Sequence, residues 1–111
     1  MSYTPDQGDI VSLDFDPSAG REIMKTRPAL VISKRIVNNT TGFAILVPIT
    51  STERGQNLEV ALDNRVTTSG VVVTPQVRSL DFVTRKVRFI EKAPDDILIE
   101  VVGKIHLLTA V

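Results

Sequence analysis

Arg27-Pro28-Ala29-Leu30-Val31-Ile32 constrains this chain more than any other stretch. A residue before proline is pushed toward extended backbone, and proline is tolerated at the first position of a strand. The apolar run that follows, Ala29 to Ile32, reads as a strand buried on both faces. Upstream lies Gly20-Arg21-Glu22-Ile23-Met24-Lys25-Thr26, a glycine-led, charged loop. Arg27 is therefore mounted where a loop meets a stiff strand, and a guanidinium there presents a planar fork that matches two phosphate oxygens.

The other apolar runs are short and broken by turn residues. Ile10, Val11, Leu13 and Phe15 define a first strand, and Asp16-Pro17-Ser18-Ala19-Gly20 opens the loop 16–27. A loop of that length in a small domain is usually functional or disordered, and this one is expected to order over a bound ligand. The second strand is predicted from Pro28 to Val37, a hairpin turn over Asn38-Asn39-Thr40-Thr41-Gly42, and a third strand over Phe43 to Val47. Pro48 cannot donate to a ladder, so the third strand should be bulged or on an edge there. A turn centred between residues 39 and 40 sets Thr50 opposite Ala29 and Arg27 opposite Thr52, within one position either way. Arg27 and Thr50 then emerge at the same open end of one hairpin.

Leu58, Val60 and Leu62 alternate as a short strand, and Asp63 to Gly70 is a turn region. A further strand starts at Val71, is interrupted at Pro75 and continues through Arg78. Asp81 to Arg85 reads as a helical turn, and Val87, Phe89 and Ile90 as a last strand. Pro94-Asp95-Asp96 starts a helix, with acids at the positive end of its dipole. Leu98, Val101, Val102, Ile105 and Leu108 give it an apolar stripe. The predicted class is mainly β with a C-terminal α-helix: one domain over residues 1–111, built as a small antiparallel barrel.

No apolar run approaches the roughly 20 residues of a bilayer span, no signal peptide is evident, and there is no cysteine. A cytoplasmic protein without membrane contact is the expectation. The net charge of zero conceals an uneven distribution. Asp6, Asp9, Asp14 and Asp16 stand without a base in residues 1–20. Arg21, Lys25, Arg27, Lys34 and Arg35 face only Glu22 in residues 21–36, and residues 67–92 carry five bases against Asp81 and Glu91. Two basic segments that converge would suit a polyanion.

His106 is the only histidine, so a paired-histidine nuclease mechanism within one subunit and a histidine-based metal site are excluded. No metal and no cofactor are expected. Arg27, Thr50, Glu22 and the bases Arg21, Lys25 and Arg78 remain, and phosphoryl chemistry can run on them. The arginine holds a phosphate, the threonine hydroxyl fixes it, and a carboxylate takes a proton from an attacking hydroxyl. In RNA that hydroxyl is the neighbouring 2′-OH, so no metal-bound water is needed. The bland alternatives are an Arg27 salt bridge to Asp14 or Asp16 and a turn-capping Thr50.

Gly8-Asp9-Ile10, Asp14 to Glu22, Arg27-Pro28-Ala29-Leu30-Val31-Ile32-Ser33, Val47-Pro48-Ile49-Thr50 and Gln76-Val77-Arg78-Ser79 occur in this order. Together they resemble the MazF/PemK toxins of bacterial type II toxin–antitoxin pairs, on the MazF branch. The resemblance implies an SH3-like barrel of the CcdB/PemK type and a homodimer. It also implies metal-independent, sequence-selective cleavage of single-stranded RNA (mRNA interferase activity), leaving a cyclic phosphate and a 5′-hydroxyl. The implied partner is a MazE-like antitoxin with an acidic, flexible tail, and DNA is met only through the antitoxin complex. By position, Arg27 and Thr50 match the family's catalytic pair and Glu22 its loop acid. Arg21, Lys25, Ser51, Gln76 and Arg78 are the implied RNA-binding residues. Some PemK-type relatives have a loop histidine where Arg21 stands, so their acid–base assignment does not transfer. Arg27 is assigned to transition-state charge, with the base open between Glu22 and solvent. Only Tyr3, Phe15, Phe43, Phe82 and Phe89 are aromatic, which leaves few stacking platforms for RNA. A CcdB-like, non-enzymatic gyrase poison is the alternative on the same barrel. A module for proline-rich peptides ranks lower, because the chain has no tryptophan.

Overall fold

A computed structural model describes residues 3–52 and 57–111. The elements are β1 (Asp9–Asp14), β2 (Thr26–Val31), α1 (Arg35–Thr41), β3 (Phe43–Thr50), β4 (Glu59–Ala61), β5 (Val71–Val73), β6 (Arg78–Asp81), β7 (Arg88–Lys92) and α2 (Asp95–Thr109), with a 3-10 turn over Thr74–Gln76. All the pairings are antiparallel. The sheet runs β4-β5-β3-β2-β1-β7, with β6 also on β3. It curls into a barrel-like form around two apolar clusters.

The doubly buried strand is as the sequence implies: Ala29, Leu30 and Val31 are fully buried. Leu30 points into a cluster with Ile10, Val47, Ile49, Ile97 and Val101, which seats α2. Ala29 and Val31 point into a second, with Val11, Leu13, Phe15, Leu46 and Phe82. Each large aliphatic side chain buried this way contributes about 1.5–3 kcal/mol, so the central strands carry most of the packing that holds the barrel together. Helix α2 packs through Ile97 and Val101, with Leu98 and Ile105 at the margin.

Three expectations are corrected. β2 ends at Val31, and the predicted turn is part of helix α1. Its interior Asn38 is fully buried and donates to the carbonyls of Pro5 (2.9 Å) and Ser33 (3.1 Å) while accepting from Ser33 Oγ (2.6 Å). Gly42, at φ 77°, stops the helix in the left-handed conformation that glycine adopts without strain. The helix shifts the hairpin register by two residues, so that Ala29 faces Pro48 and Leu30 faces Val47. Second, Pro48 is neither on an edge nor at a bulge. β3 pairs with β6 as far as Leu46 and with β5 from Ile49. Pro48 falls at that hand-over, where no ladder partner needs its missing N–H. Third, the segment 71–78 is two strands separated by the 3-10 turn.

Candidate active site

Arg27 is the second residue of β2 and is exposed. Continuing the observed register by two residues sets Thr50 directly opposite it, closer than the expected register, which had Thr52 in that place. Both line a pocket of about 160 Å³ with Pro28, Ile49, Ser51, Thr52 and Ser69. Thr50 Oγ1 accepts the Thr52 N–H at 3.2 Å, which orients the hydroxyl and leaves its proton free to donate. Thr50 therefore caps a turn, and the cap fixes its hydroxyl at the pocket.

The Arg27 side chain has no hydrogen-bonding or ion-pair partner among the described residues, although its backbone is paired with Leu13 in the β1–β2 ladder. The carboxylates proposed to neutralise it are engaged elsewhere. Asp14 Oδ1 accepts the Asp16 N–H (3.0 Å), and Asp16 Oδ1 accepts Lys25 N–H (3.0 Å) and Ser18 Oγ (3.1 Å). A guanidinium left unpaired at a pocket mouth keeps all its donors available to an anion.

The loop 16–25 stands beside this pocket without lining it. Ile23 is buried against Val71 and Val73, and its N–H is held by the Gln76 side-chain oxygen at 2.8 Å. Glu22 is exposed and accepts the Ala19 N–H at 2.6 Å. Arg21 and Lys25 are exposed on the same loop, and Lys25 adopts φ 67°. Arg78 sits opposite Leu46, its guanidinium carbon 5.8 Å from the Phe15 ring centroid and its Nη1 buried without a partner. The structure thus gathers Arg27, Thr50 and Ser51 into one pocket. Glu22, Arg21 and Lys25 ride on the adjoining loop, Gln76 anchors that loop, and Arg78 packs against Phe15 instead of lining the pocket. His106 is exposed on α2 and does not line the pocket. Among the described residues, no three His, Cys, Asp or Glu side chains gather as a metal site would require. No helix among them is long and apolar enough to cross a membrane.

Ser69 is a pocket residue that the sequence reading missed, and Thr52, placed there opposite Arg27, lines the pocket without having been assigned to the site. Nothing in the sequence singles out Ser69, which reaches the pocket from a turn distant in the chain. A sequence model described as the PemK-like, MazF-like toxin of type II toxin–antitoxin systems matches residues 6–109. The chain belongs to this toxin family. It is 41% identical over 78 residues to the endoribonuclease toxin MazF of Escherichia coli K12, covering 70% of this chain and 69% of that one. The crystal structure of MazF (Form-I) from Deinococcus radiodurans superposes with a TM-score of 0.95 at 41% identity, over 99% of this chain and all of the other. The MazE-MazF complex (Form-II) of the same organism matches with a TM-score of 0.86 at 42% identity, over 96% of each chain. The chain is thus a toxin of the MazF/PemK endoribonuclease family, on the small barrel expected for it.

Proposed function

We propose that this MazF/PemK-family toxin cleaves single-stranded RNA at selected sequences without a metal ion, through Arg27 and Thr50. The observation that carries the reading is an unpaired guanidinium beside an oriented hydroxyl in one pocket. The 2′-oxygen attacks the adjacent phosphorus, the bond to the 5′-oxygen breaks, and the products are a 2′,3′-cyclic phosphate and a 5′-hydroxyl. Arg27 donates to two non-bridging oxygens, bonds that strengthen as charge gathers in the transition state. Thr50 donates its free proton to the same phosphate. The proton of the 2′-OH passes to water with the loop as it stands, and to Glu22 only if the loop swings over the RNA and releases Ala19. A proton is returned to the leaving 5′-oxygen from solvent.

Arg21, Lys25, Ser51, Gln76 and Arg78 are assigned to the flanking RNA. The whole chain acts as one toxin domain, works as a homodimer in the cytoplasm, and is held silent by a MazE-like antitoxin whose acidic tail competes with RNA for the Arg27 pocket. DNA is reached only through that complex. The D. radiodurans MazE-MazF structure supports the antitoxin.

Purified protein incubated with mixed-sequence RNA in chelator, followed by mapping of the ends, tests this reading. Cyclic-phosphate and 5′-hydroxyl ends at a recurring sequence are expected. Arg27→Ala should lower cleavage by about 10²-fold or more with an unchanged melting midpoint. Normal cutting by that variant overturns the assignment. Intact RNA together with stalled gyrase would point instead to a CcdB-like poison.

A further inference from the structure

The Thr50 backbone is held from outside the β2–β3 pair. β5 pairs Val71 with Thr50, so Gly70 arrives against the Thr50–Ser51 peptide. A β-carbon built on Gly70 would lie 2.2 Å from the Thr50 carbonyl oxygen, 2.8 Å from its carbon and 3.2 Å from Ser51 Cα. These are backbone atoms, which cannot turn aside as a flexible side chain would. Gly70 also has φ +121°, where side-chain-bearing residues are strained. Its neighbour Ser69 lines the pocket.

This turn is clamped from the far side of the sheet. Glu91 on β7 accepts the N–H of Thr67 (3.0 Å) and of Thr68 (2.8 Å) and the hydroxyls of Thr67 (2.8 Å) and Thr68 (2.7 Å). All the donors converge on one carboxylate, and no base pairs with it among the described residues. We infer that Glu91 and Gly70 are positioning residues for cleavage: the clamped turn presses on the Thr50 backbone and fixes where its hydroxyl meets the scissile phosphate. The inference rests on the reading of Arg27 and Thr50 given above. Neither residue needs to touch RNA. Glu91 acts through Thr67 and Thr68, and Gly70 acts by having no side chain.

Glu91→Gln keeps the shape of the side chain but puts an amide N–H toward donors, and Gly70→Ala adds the forbidden β-carbon. The test measures single-turnover cleavage of a defined RNA by the full chain. Affinity for the same RNA with a 2′-deoxy sugar at the cut site and the thermal midpoint are followed in parallel. Because a misplacement of about 1 Å at a reacting group costs on the order of 10²-fold, both variants should lose about 10–10²-fold in cleavage rate. Affinity for the uncleavable RNA should stay within about twofold, a split that a purely structural role would not produce. Folded Glu91→Gln that cuts within about twofold of the native chain overturns the inference, as does a loss of rate and affinity in proportion to folded protein. If Gly70→Ala fails to fold, Glu91→Gln decides. Arg27→Ala, run beside them, separates the two claims. If it cuts normally, the active-site reading fails; if it is dead while both turn variants cut normally, only the positioning role fails.

Discussion

Arg27 combines a side chain without a partner among the described residues with a place in the Thr50 pocket, whereas Arg21 and Arg88, also unpartnered there, do not line it. Arg65 is bidentate to Asp63 and also bound to Asp96, Arg35 lies 3.7 Å from Asp6, and Arg85 donates to the Asp16 carbonyl at 2.7 Å. Those side chains are engaged with the fold; the Arg27 side chain bonds to none of the described residues, so truncating it should not weaken the fold. Thr50 has a divided role, because its oxygen accepts from Thr52 while its proton remains free. Thr50→Val keeps the branched shape and deletes both functions. Cleavage should fall by about 10²-fold, while stability drops by no more than about 1 kcal/mol, the usual cost of a lost cap. Thr50→Ser, which restores the hydroxyl, should recover most of the activity. Rates and melting curves on the three proteins check this, and a fully active Thr50→Val would remove the threonine from the mechanism.

At the scale of elements, the loop 16–25 is long but tethered. Its ends close through Phe15 N–H to the Lys25 carbonyl at 2.9 Å, and its middle is fixed by buried Ile23 and the Gln76 oxygen. Gln76→Ala should free the middle of the loop without touching the pocket wall. Faster limited proteolysis between residues 18 and 25 is expected, with little change in melting; an unchanged cutting rate would mean that Ile23 packing alone holds the loop. This tether explains what the sequence could and could not reveal. The runs Ile10–Phe15, Ala29–Ile32 and Phe43–Val47 announced their strands, because apolar pattern and burial are the same fact seen twice. The meeting of Arg27 and Thr50 at one open hairpin end was legible from the same runs, whereas the roles proposed for them came from the family resemblance. Helix α1 was not legible. Ile36, Val37, Asn38, Asn39, Thr40 and Thr41 are poor helix formers, and their helix rests on tertiary bonds from Asn38 that no local pattern carries. Gly42 fits a hairpin turn or a helix stop equally well. The Gln76–Ile23 bond and the approach of Ser69 to the pocket are products of topology, joining segments far apart in the chain.

For the whole molecule, the barrel closes across a polar seam. The sheet path ends at β4 on one side and β7 on the other, and those two strands share no ladder. Glu91 bridges from β7 to Thr67 and Thr68, Arg65 links Asp63 to Asp96 on α2, and Lys104 of α2 donates to the Asn57 carbonyl. Burial pushes the Glu91 carboxyl up, but the two backbone N–H groups and two hydroxyls outweigh it and hold the group at about 2, below its ordinary 4.5. Asp63 is held at about 2 by Arg65. Carboxylates with depressed folded values bind fewer protons in the folded state than in the unfolded one. Their stabilisation is therefore complete above the ordinary carboxylate range and is lost as pH falls toward about 2. The seam should accordingly loosen in acid while the two apolar clusters persist. Glu91→Gln should melt below the native chain near neutral pH, and the gap should narrow steadily between about pH 5 and pH 2 as the native carboxylate takes up its proton. Melting midpoints of both proteins across that range decide it. A gap independent of pH would show that the amide disrupts the turn by its shape, and that the charge on Glu91 does not hold the seam.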